Sequence, residues 1–429
     1  TNLFLPNSDE AIALAEANTL NTIILDDNVN GSNPEDVIYP TGGLSADNTL
    51  RSGDSVSSVT GIMDYSFSAY RVLPTIDPVF VQSNPRTEAP ELVPGNLTVA
   101  SINVLNLFNG DGLGEGFPTS RGADTFVEYE RQVAKTVSAL VAMDADIVGL
   151  MEIENDGFET TSTIVELVTK VNEALGDTIY AYVDAETTIG TDAIAVGLLY
   201  KTANVTPASS VLLNTDSTFN RPPVAQTFSV TGSDEEITVI VNHFKSKSCS
   251  SASADDADLG DGQSCYNATR VTQAQLLMEW ISTNEELSVQ ENLLIMGDLN
   301  AYAKEDPITA FVTGGYTNLI EQFAGAEAYS YSYSGLLGYL DHALASPALV
   351  EKVVDAGEWH INADEPRVLD YNVEYKSDTQ VDDFYSDDAY RMSDHDPVVI
   401  SLFFEPTPEP ALLGDWDGDN DVDWKDILQ

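Results

Sequence analysis

Hydrophobic residues follow two different patterns along the 429 residues of this chain, and the pattern changes near residue 90. In residues 1–90 the apolar runs are short and lie between frequent Asn, Asp, Gly and Pro, which is typical of a small all-β domain. Residues 83–95 contain three prolines, which cannot pair regularly in a sheet, and this composition indicates a linker. The sequence therefore predicts a β domain over 1–90, followed by a separate unit.

From residue 96 onward, apolar runs with the spacing of strands alternate with runs that have the spacing of helices. The strand runs are apolar at nearly every position, so their sheets need helices over the outer faces. Alternation of this kind predicts an α/β sandwich over about 96–405. Strands are predicted at 97–108, 146–151, 193–200, 237–243, 293–296, 340–345 and 398–404, and helices at 125–143, 162–175 and 271–281.

The chain is strongly acidic, with a net charge of −52 from 70 acidic and 18 basic side chains. Charge of this size keeps a protein dispersed and monomeric, and it suits a saline medium in which ions screen the self-repulsion. The hydrophobic content of 43% indicates a globular protein. From the charge we expect a monomer. No apolar run approaches the length of a bilayer-spanning helix, so we expect no membrane partner. The first residue is Thr1, and we interpret it as a processed or trimmed start.

Two cysteines, Cys249 and Cys265, lie in a polar segment rich in Ser, Asp and Gly. An even number of cysteines in such a loop favours a disulfide over the alternative of two free thiols. Disulfides persist in oxidising compartments, so this pair indicates a secreted, extracellular protein.

Residues 406–429 form a third predicted segment, a Pro-rich linker followed by an acidic loop. Oxygen donors recur in the loop at positions one, three, five, seven, nine and twelve, as in the Ca²⁺ loop of an EF-hand. An acidic tail without a ligand is the alternative. The loop resembles half of a dockerin, and because dockerins normally have two such loops, the sequence weighs against a cohesin-like partner. The predicted calcium ligands are Asp415, Asp417, Asp419, Asp421, Asp423 and Asp426.

Polar residues suited to metal binding or proton transfer stand beside several predicted strands. In "SDHDPV" (393–398), Asp394 and His395 directly precede an apolar strand. A carboxylate next to an imidazole can serve a metal ion and a water molecule in one site. Any one such residue could be an ordinary strand cap, but a sheet gathers its strand ends at an edge, so the set predicts a single site. The other members are Asn103, Glu152, His243, Asp298, Asn300 and Asp341.

These residue types fit the hydrolysis of a phosphodiester, which needs a divalent cation, a base that activates water and an acid for the leaving oxygen. Asn103, Glu152 and Asp394 offer hard oxygen donors, which suit Mg²⁺ or Mn²⁺ and also Ca²⁺. We therefore predict that these three residues bind the catalytic metal.

The remaining residues receive the proton-transfer and phosphate-binding roles. His395 is the predicted base, provided that a carboxylate such as Asp341 fixes its tautomer. His243 is then free to act as the acid. Asp298 and Asn300 are expected to hold the attacking water and a phosphate oxygen.

Seven motifs, in this order along the chain, resemble those of the exonuclease/endonuclease/phosphatase (DNase I-like) superfamily. They are "ASINVLNLFN" (100–109), "DIVGLMEIEND" (146–156), "TDAIAVGLLY" (191–200), "VNHFKSK" (241–247), "LIMGDLNAY" (294–302), "GYLDHALAS" (338–346) and "SDHDPV" (393–398). More narrowly, "NHFKSK", "AYAKEDPI", "YLDHALAS" and "WHINADEP" resemble segments of the ExeM/NucH-type extracellular bacterial nucleases. The resemblance runs from about Gly61 to about Phe404.

The resemblance implies a four-layer αββα sandwich with an OB-like β domain ahead of it. Residues 1–90 are short for the accessory region of such proteins, so the OB-like domain is expected to be incomplete. Carried over motif by motif, the resemblance implies the same metal, base, acid and phosphate roles as those given above. It also implies a secreted bacterial nuclease that acts on extracellular DNA.

Basic residues near the motifs favour a polyanionic substrate, DNA or RNA, over the alternatives of a phosphatase or a phospholipase C of the same superfamily. Solvated loop side chains are the other interpretation of these residues. A non-catalytic adhesion module would need gaps in the site, and the sequence shows none. The sequence leaves open DNA versus RNA, endo versus exo cutting, and the metal used. The predicted substrate-binding residues are Arg121, Lys245, Lys247 and Arg270, with Arg391 beside the same motifs.

Overall fold

The computed structural model describes residues 1–407, in which the chain forms twenty strands and eight α-helices. The strands are β1 (Ile24–Leu25), β2 (Ser55–Val56), β3 (Gly61–Ser66), β4 (Ala69–Pro74), β5 (Phe80–Val81), β6 (Leu97–Leu107), β7 (Ile147–Glu154), β8 (Tyr180–Tyr182), β9 (Ile194–Lys201), β10 (Val205–Pro207), β11 (Leu212–Leu213), β12 (Val224–Val230), β13 (Glu236–His243), β14 (Leu293–Asp298), β15 (Thr317–Asn318), β16 (Tyr331–Tyr333), β17 (Leu336–Gly338), β18 (Asp341–Ala345), β19 (Val353–Glu358) and β20 (Val398–Leu402). The helices are α1 (Asp9–Asn21), α2 (Phe126–Met143), α3 (Thr163–Leu175), α4 (Asn267–Thr283), α5 (Asp306–Thr313), α6 (Leu319–Phe323), α7 (Pro347–Val350) and α8 (Asp378–Asp383).

Two mixed sheets, of six and seven strands, form the centre of the molecule. The first has the order β19-β20-β6-β7-β9-β8, and the second has the order β10-β12-β13-β14-β18-β15 with β11 paired to β12. Their inner faces pack on each other, since one buried cluster combines Val99 and Met151 with Val241 and Met296. Helices α2 and α3 cover the outer face of the six-stranded sheet, and α4 and α5 cover that of the other. This architecture confirms the predicted αββα sandwich.

The two sheets approach each other closely beneath the ends of β7, β13 and β14. A Cβ atom at Gly149 would lie 2.6 Å from the Cε of Met296 and 2.8 Å from a Cγ of Val241, so a larger residue here would require these two side chains to shift. Strands β13 and β14 are buried on both faces, which explains why their sequences are apolar at successive positions.

Helix α2 shows how local sequence positions the candidate site. It begins at a capping box in which the N–H of Glu128 donates to the Thr125 hydroxyl and the N–H of Thr125 donates to the Glu128 carboxylate. Its apolar face, including Val133, packs on the six-stranded sheet. From the same helix, Gln132 Nε2 donates to the carbonyl of Leu105 at 2.7 Å, which fixes the irregular end of β6.

Residues 1–90, here named the N-terminal module, contain a helix as well as strands. Helix α1 has no buried side chain, Ser8 caps its first turn, and its sequence is rich in the helix-forming residues Ala, Leu and Glu. The strands form a three-stranded sheet of order β1-β4-β3 and a two-stranded ribbon of β2 and β5. The prediction of an all-β domain is therefore wrong for residues 9–21, and within residues 1–90 these strands do not form an OB-like barrel of five strands.

The C-terminal predictions fall on residues that are not described. The calcium loop at 415–426 and nearly all of the linker predicted over 406–429 lie outside residues 1–407 and stay predictions. Within residues 1–407, no helix has the length and hydropathy needed to cross a bilayer.

Candidate active site

Strand register brings the predicted site residues to one edge of the seven-stranded sheet. Strands β13 and β14 run parallel with His243 paired to Asp298, and β18 runs antiparallel to β14 with Asp341 paired to Asp298. These three side chains come from strand positions that lie side by side. The loop before β20 adds His395, whose backbone forms an isolated bridge with Tyr331.

Asp298, Asp341 and His395 form a tight buried group, since one ligand-type atom from each lies within 4.8 Å of the others. His395 Nδ1 is 2.7 Å from Asp341 Oδ2, which also accepts a hydrogen bond of 2.6 Å from the Ser330 hydroxyl. Burial lowers the pKa of His395, but Asp341 and Asp298 outweigh this effect and hold that pKa well above its ordinary value. In the free protein His395 is therefore an imidazolium beside two carboxyl groups.

Asp298 and Asn300 form one compact turn after β14. The backbone N–H of Asn300 donates to Asp298 Oδ1 at 2.8 Å, and the side-chain Nδ2 of Asn300 donates to the carbonyl of Phe244 at 3.2 Å. Asn300 has a φ of 48°, in the left-handed region that Asn tolerates better than most residues. Burial raises the pKa of Asp298, while His395 opposes the rise. The sequence-predicted pair is thus brought together at the same edge as His395.

His243 lies next to this group and is held from behind by Arg221. Its Nε2 is 3.5 Å from Asp298 Oδ2 and 3.9 Å from Glu152 Oε1. The guanidinium of Arg221 donates to the carbonyl of His243 at 3.1 Å and also to the carbonyl of Phe244. Burial, together with the Arg221 charge, lowers the pKa of His243 well below its ordinary value. In the free protein this ring is therefore neutral at neutral pH.

Asn103 and Glu152, two of the predicted metal ligands, come from the six-stranded sheet, and Asp394 comes from the loop before β20. The register of β6 shifts just after Asn103, and the register of β7 shifts at Glu152. Glu152 has a φ of 65°, which turns it out of the regular strand. Its Oε2 accepts a hydrogen bond of 3.0 Å from the N–H of Asn106. The predicted ligands thus lie at irregular positions, where side chains are re-aimed toward the edge.

Asn103, Glu152 and Asp394 are the predicted ligands of a divalent cation, and Glu152 and Asp394 lie close enough to affect each other. Burial, followed by the Asp394 carboxylate, raises the pKa of Glu152, and a bound cation would offset both effects. The carbonyl oxygen of Asn103 accepts one hydrogen bond, of 2.9 Å from the N–H of Leu105, and keeps a lone pair. Oxygen donors with free lone pairs and excess negative charge are what Mg²⁺ and Mn²⁺ require.

The group Asp298–Asp341–His395 is the second candidate for metal binding, because its ligand atoms converge. In this group, however, His395 Nδ1 already shares a hydrogen bond of 2.7 Å with Asp341. That geometry is typical of a carboxylate that orients an imidazole for proton transfer. The three residues therefore fit the base site better than the metal site.

The predicted substrate-binding residues fall into two classes, of which Arg121 and Lys245 form the accessible one. The Arg121 side chain is 42% exposed and pairs with Asp192 at 2.7 Å. Lys245 is half-buried and extends over the ring of Tyr266 at 4.4 Å from its centroid. Both can reach a ligand by small side-chain rotations.

Lys247 and Arg270 are instead parts of the interior. Lys247 Nζ lies 2.7 and 2.5 Å from the two carboxylate oxygens of Glu305. Arg270 is 0% exposed, and its guanidinium donates to three backbone carbonyls, one of them that of Cys265. Cys265 forms a disulfide with Cys249, which confirms the predicted pairing. Direct substrate binding by Lys247 and Arg270 does not fit these partners; they hold the disulfide loop against the sandwich.

Sequence reasoning missed Ser330, Tyr331 and Arg221, which hold the site from outside its motifs. The ring of Tyr331 packs on His395 with centroids 4.7 Å apart, and Ser330 binds Asp341. Neither residue lies in a strand of the two central sheets. The one available signal is the alternation of Tyr and Ser over 329–333, shortly before the motif that contains Asp341.

A groove of about 550 Å³ extends from Asp394 across the adjoining loops. Guanidinium groups and tyrosine rings, which contact phosphates and bases in nucleic-acid sites, occur in its walls together with carboxylates. The basic and aromatic lining residues are Arg121, Arg367, Arg391, Tyr331, Tyr333 and Tyr371, and the acidic ones include Asp124, Asp370 and Glu374.

Solved structures similar to this chain come from several organisms. The human Nocturnin catalytic domain with bound sulfate has 13% identity over 73% of this chain and 97% of that chain, with a TM-score of 0.46. Mannosyl-6-phosphatase from Bacteroides thetaiotaomicron has 18% identity over 72% and 100%, with a TM-score of 0.42. TDP2 of D. rerio complexed with single strand DNA product has 13% identity over 71% and 97%, with a TM-score of 0.42. No curated protein matches the chain.

Family models match two parts of the chain. A model described as "Domain of unknown function (DUF8508)" matches residues 6–84, within the N-terminal module. A model described as "Endonuclease/Exonuclease/phosphatase family" matches residues 100–395, which include every residue of the candidate active site. Because this second match spans more than half of the sequence, the chain belongs to the Endonuclease/Exonuclease/phosphatase family.

Proposed function

We propose that this chain cuts phosphodiester bonds of extracellular DNA with the help of a divalent cation. The family consists of hydrolases, so the open questions are the substrate and the roles of individual residues. The observation that carries the proposal is the Asp341–His395 hydrogen bond with Asp298 beside it, next to the separate carboxylate set of Glu152 and Asp394. Separate sites for a base and for a cation are what metal-assisted hydrolysis needs.

His395 is the proposed base. Because its Nδ1 is bound to Asp341, its Nε2 is the nitrogen that takes a proton from the attacking water. Its pKa in the free protein is high because carboxylates surround it. A divalent cation held by Asn103, Glu152 and Asp394 would supply positive charge beside the scissile phosphate and favour the neutral form of His395.

Asp298 and His243 are proposed to handle the water and the leaving oxygen. Asp298 Oδ1 is used by the N–H of Asn300, which leaves Oδ2 to accept a hydrogen bond from the attacking water. His243, neutral in the free protein, offers an N–H donor to a phosphate oxygen. The negative charge of a bound phosphate raises the pKa of a neighbouring imidazole, so His243 gains a proton for the leaving oxygen when substrate binds.

A nucleic acid is the proposed substrate because of the groove that starts at Asp394. Its arginine and tyrosine side chains lie where the neighbours of a scissile phosphate would pass, and a small phosphate ester has no use for them. The Cys249–Cys265 disulfide supports an oxidising, extracellular setting. DNA is proposed ahead of RNA on the resemblance to extracellular nucleases.

The test is a substrate and metal screen with the purified chain. Plasmid DNA, linear DNA, RNA, sphingomyelin and inositol phosphates are offered with Mg²⁺, Mn²⁺ or Ca²⁺, before and after EDTA. We expect nicking of plasmid DNA that EDTA abolishes and that Asp298→Asn removes. Asp216→Asn, at an exposed loop position, is the matched control and should cut normally. Release of phosphate from small esters without cleavage of nucleic acid would replace this proposal with the phosphatase alternative.

A further inference from the structure

Residues 359–366, here named the WHINADEP segment after their sequence, connect the candidate active site to the N-terminal module. The segment contributes no residue to the reaction centre described above. It nevertheless binds the loop of Asp394 and His395 on one side and the N-terminal module on the other, through groups that are buried or partly buried. Those contacts determine where the backbone of the Asp394–His395 loop lies.

The contacts to the catalytic loop converge on Asn362, which is 0% exposed. Its Oδ1 accepts a hydrogen bond of 3.1 Å from the N–H of Ser393, and its Nδ2 donates one of 2.6 Å to the carbonyl of His395. The backbone N–H of Asn362 donates to Asp396 Oδ1 at 2.7 Å. One asparagine therefore fixes the backbone on both sides of Asp394, including that of His395 itself.

A second set of contacts fixes the loop through its other end. His360 Nδ1 is 2.9 Å from Asp396 Oδ2, and the ring of His360 stacks on Tyr329 with centroids 4.0 Å apart. The N–H of Ala363 donates to Asp396 Oδ1 at 3.0 Å. Asp396 thus accepts hydrogen bonds at both carboxylate oxygens from the WHINADEP segment.

The contacts to the N-terminal module are charged and buried. Arg86 binds Glu365 with two nearly parallel hydrogen bonds of 2.9 and 2.8 Å, and Arg51 also pairs with Glu365. Arg51 donates in addition to the carbonyl of His360 at 2.7 Å and to Asp364 at 3.2 Å. Bidentate arginine–carboxylate pairs fix orientation as well as distance. The segment that holds the catalytic loop is therefore itself held by two arginines from outside the sandwich.

We propose that Asn362 is a positioning residue for Asp394 and His395, and that the N-terminal module fixes Asn362 in place through Arg51 and Arg86. The proposal rests on the proposed hydrolysis for its kinetic test. It gives residues 1–90 a role as an intramolecular support for the reaction centre, without contact to substrate. A displacement of catalytic groups by about 1 Å can cost about 100-fold in rate, so loss of this support acts on the rate constant.

The test compares four single variants and one double variant with the wild-type chain. Asn362→Ala removes the side-chain contacts to Ser393 and His395, whereas Asn362→Asp keeps the acceptor for Ser393 and replaces the donor to His395 with an oxygen. Arg86→Ala cuts the outer support at a partly exposed position, which favours a folded variant. Arg71→Ala is the matched control, because Arg71 pairs with Asp26 inside the N-terminal module at 2.7 Å and does not bind the WHINADEP segment.

Kinetics are measured on DNA and on bis(4-nitrophenyl) phosphate, a small phosphodiester that needs no groove. We expect Asn362→Ala to lower kcat about 100-fold with little change in KM and Arg86→Ala to lower it about 10-fold. Asn362→Asp should lose at least as much as Asn362→Ala, because its carboxylate oxygen would face the carbonyl oxygen of His395 in a buried site. The double variant Asn362→Ala/Arg86→Ala should lose no more than Asn362→Ala alone, because both act through one contact. Losses that multiply, or a folded Asn362→Ala variant with wild-type kcat, would overturn the proposal.

Backbone hydrogen exchange over residues 393–396 tests the same coupling without catalysis. We expect faster exchange in Arg86→Ala and Asn362→Ala, and wild-type exchange in Arg71→Ala. If Asn362→Ala does not fold, Arg86→Ala carries the comparison, with Arg71→Ala as its control. A wild-type chain inactive on every phosphoester would contradict the proposed function, while unchanged exchange in Arg86→Ala would contradict the positioning role.

Discussion

The ends of β13, β14 and β18 and the neighbouring disulfide loop both carry charged residues, yet the two regions direct them differently. At the strand ends, sheet register sets His243 beside Asp298 and Asp298 beside Asp341. Lys247, in the loop, binds Glu305, and Arg270, in the first turn of α4 just after the loop, binds backbone carbonyls of the loop. Strand register determines which side chains are neighbours across the whole sheet, whereas a long basic side chain in or beside a loop turns toward its strongest local partner.

The largest effect expected from this difference is the loss of activity at the strand ends. His395→Ala and Asp298→Asn should each lower kcat by about 10² to 10⁴-fold, because the proposed base and the proposed water-positioning carboxylate act only at the reacting atoms. The far-ultraviolet spectrum should stay close to wild type, which shows that the variants are folded. Single-turnover rates on plasmid DNA at saturating metal measure the effect. A folded variant that cuts at a near-normal rate would show that the residue is not part of the reaction centre.

Arg270→Met should show the opposite behaviour. Three carbonyls would lose their donor and a buried charge would be removed, so we expect the free energy of unfolding to fall by about 3 kcal/mol. Activity of the folded fraction at low temperature should stay within about threefold of wild type. Urea titrations and kinetics on the same samples measure both quantities. Stability unchanged together with a large rise in KM would restore Arg270 as a substrate-binding residue.

Glu358 tests whether a perturbed acid outside the reaction centre affects stability. Burial raises its pKa to about 8 while His360 opposes the rise, so the folded state binds more protons than the unfolded state between about pH 4.5 and 8. Its contribution to stability is therefore lost as the pH rises through this window. Glu358→Gln should flatten the decline by about 2 kcal/mol between pH 5 and 8. Denaturant titrations at three pH values measure it, and equal declines in both proteins would exclude the effect.

Arg121→Ala addresses the exposed member of the basic residues. Because this side chain is 42% exposed and forms a surface ion pair with Asp192, its loss should not unfold the chain. We expect KM for DNA to rise by about 3- to 10-fold with kcat nearly constant, since a phosphate contact outside the reacting atoms contributes uniform binding. Arg71→Ala serves again as the control arginine. An unchanged KM would place Arg121 among the solvated loop residues.

The smallest expected effect is that of salt on substrate encounter. The net charge of −52 repels DNA over distances that salt screens first, whereas the few basic side chains near the site act at shorter range. kcat/KM should therefore stay flat or rise from low salt to the ionic strength of sea water. A salt series at saturating divalent metal gives the answer, and a steep fall from the lowest salt would mean that local basic contacts dominate.

Sequence was sufficient for the features that depend on periodicity and on motif order. The apolar runs ending at His243 and Asp298 became buried parallel neighbours, so their meeting followed from strand geometry alone. Patterning predicted an α/β sandwich, and the motif resemblance implied its αββα layers. The pairing of Cys249 with Cys265 was predicted from the even number of cysteines in a polar loop.

Sequence was insufficient where the outcome depends on tertiary partners. Helix α1 was missed because residues 1–90 as a whole are rich in turn formers, although Ser8 and the Ala-rich run after it are a local helix signal. The interior position of Arg270 could not be read from a basic residue near a motif, since it depends on carbonyls that the folded loop presents. Asn362 lies outside the strands of the central sheets, and its partners Ser393 and His395 are 31 and 33 residues away in the chain.

Gly149 has a consequence for how the molecule responds to added volume. The predicted metal ligands come largely from the six-stranded sheet and the proposed proton-transfer residues largely from the seven-stranded sheet, so the distance between the two sets is a distance across the packed interior. Beneath the site, the two sheets meet where Gly149 lies against Val241 and Met296. A methyl group at position 149 would make those two side chains shift and press the sheets apart. The activation volume of the reaction should therefore change with the size of the residue at position 149.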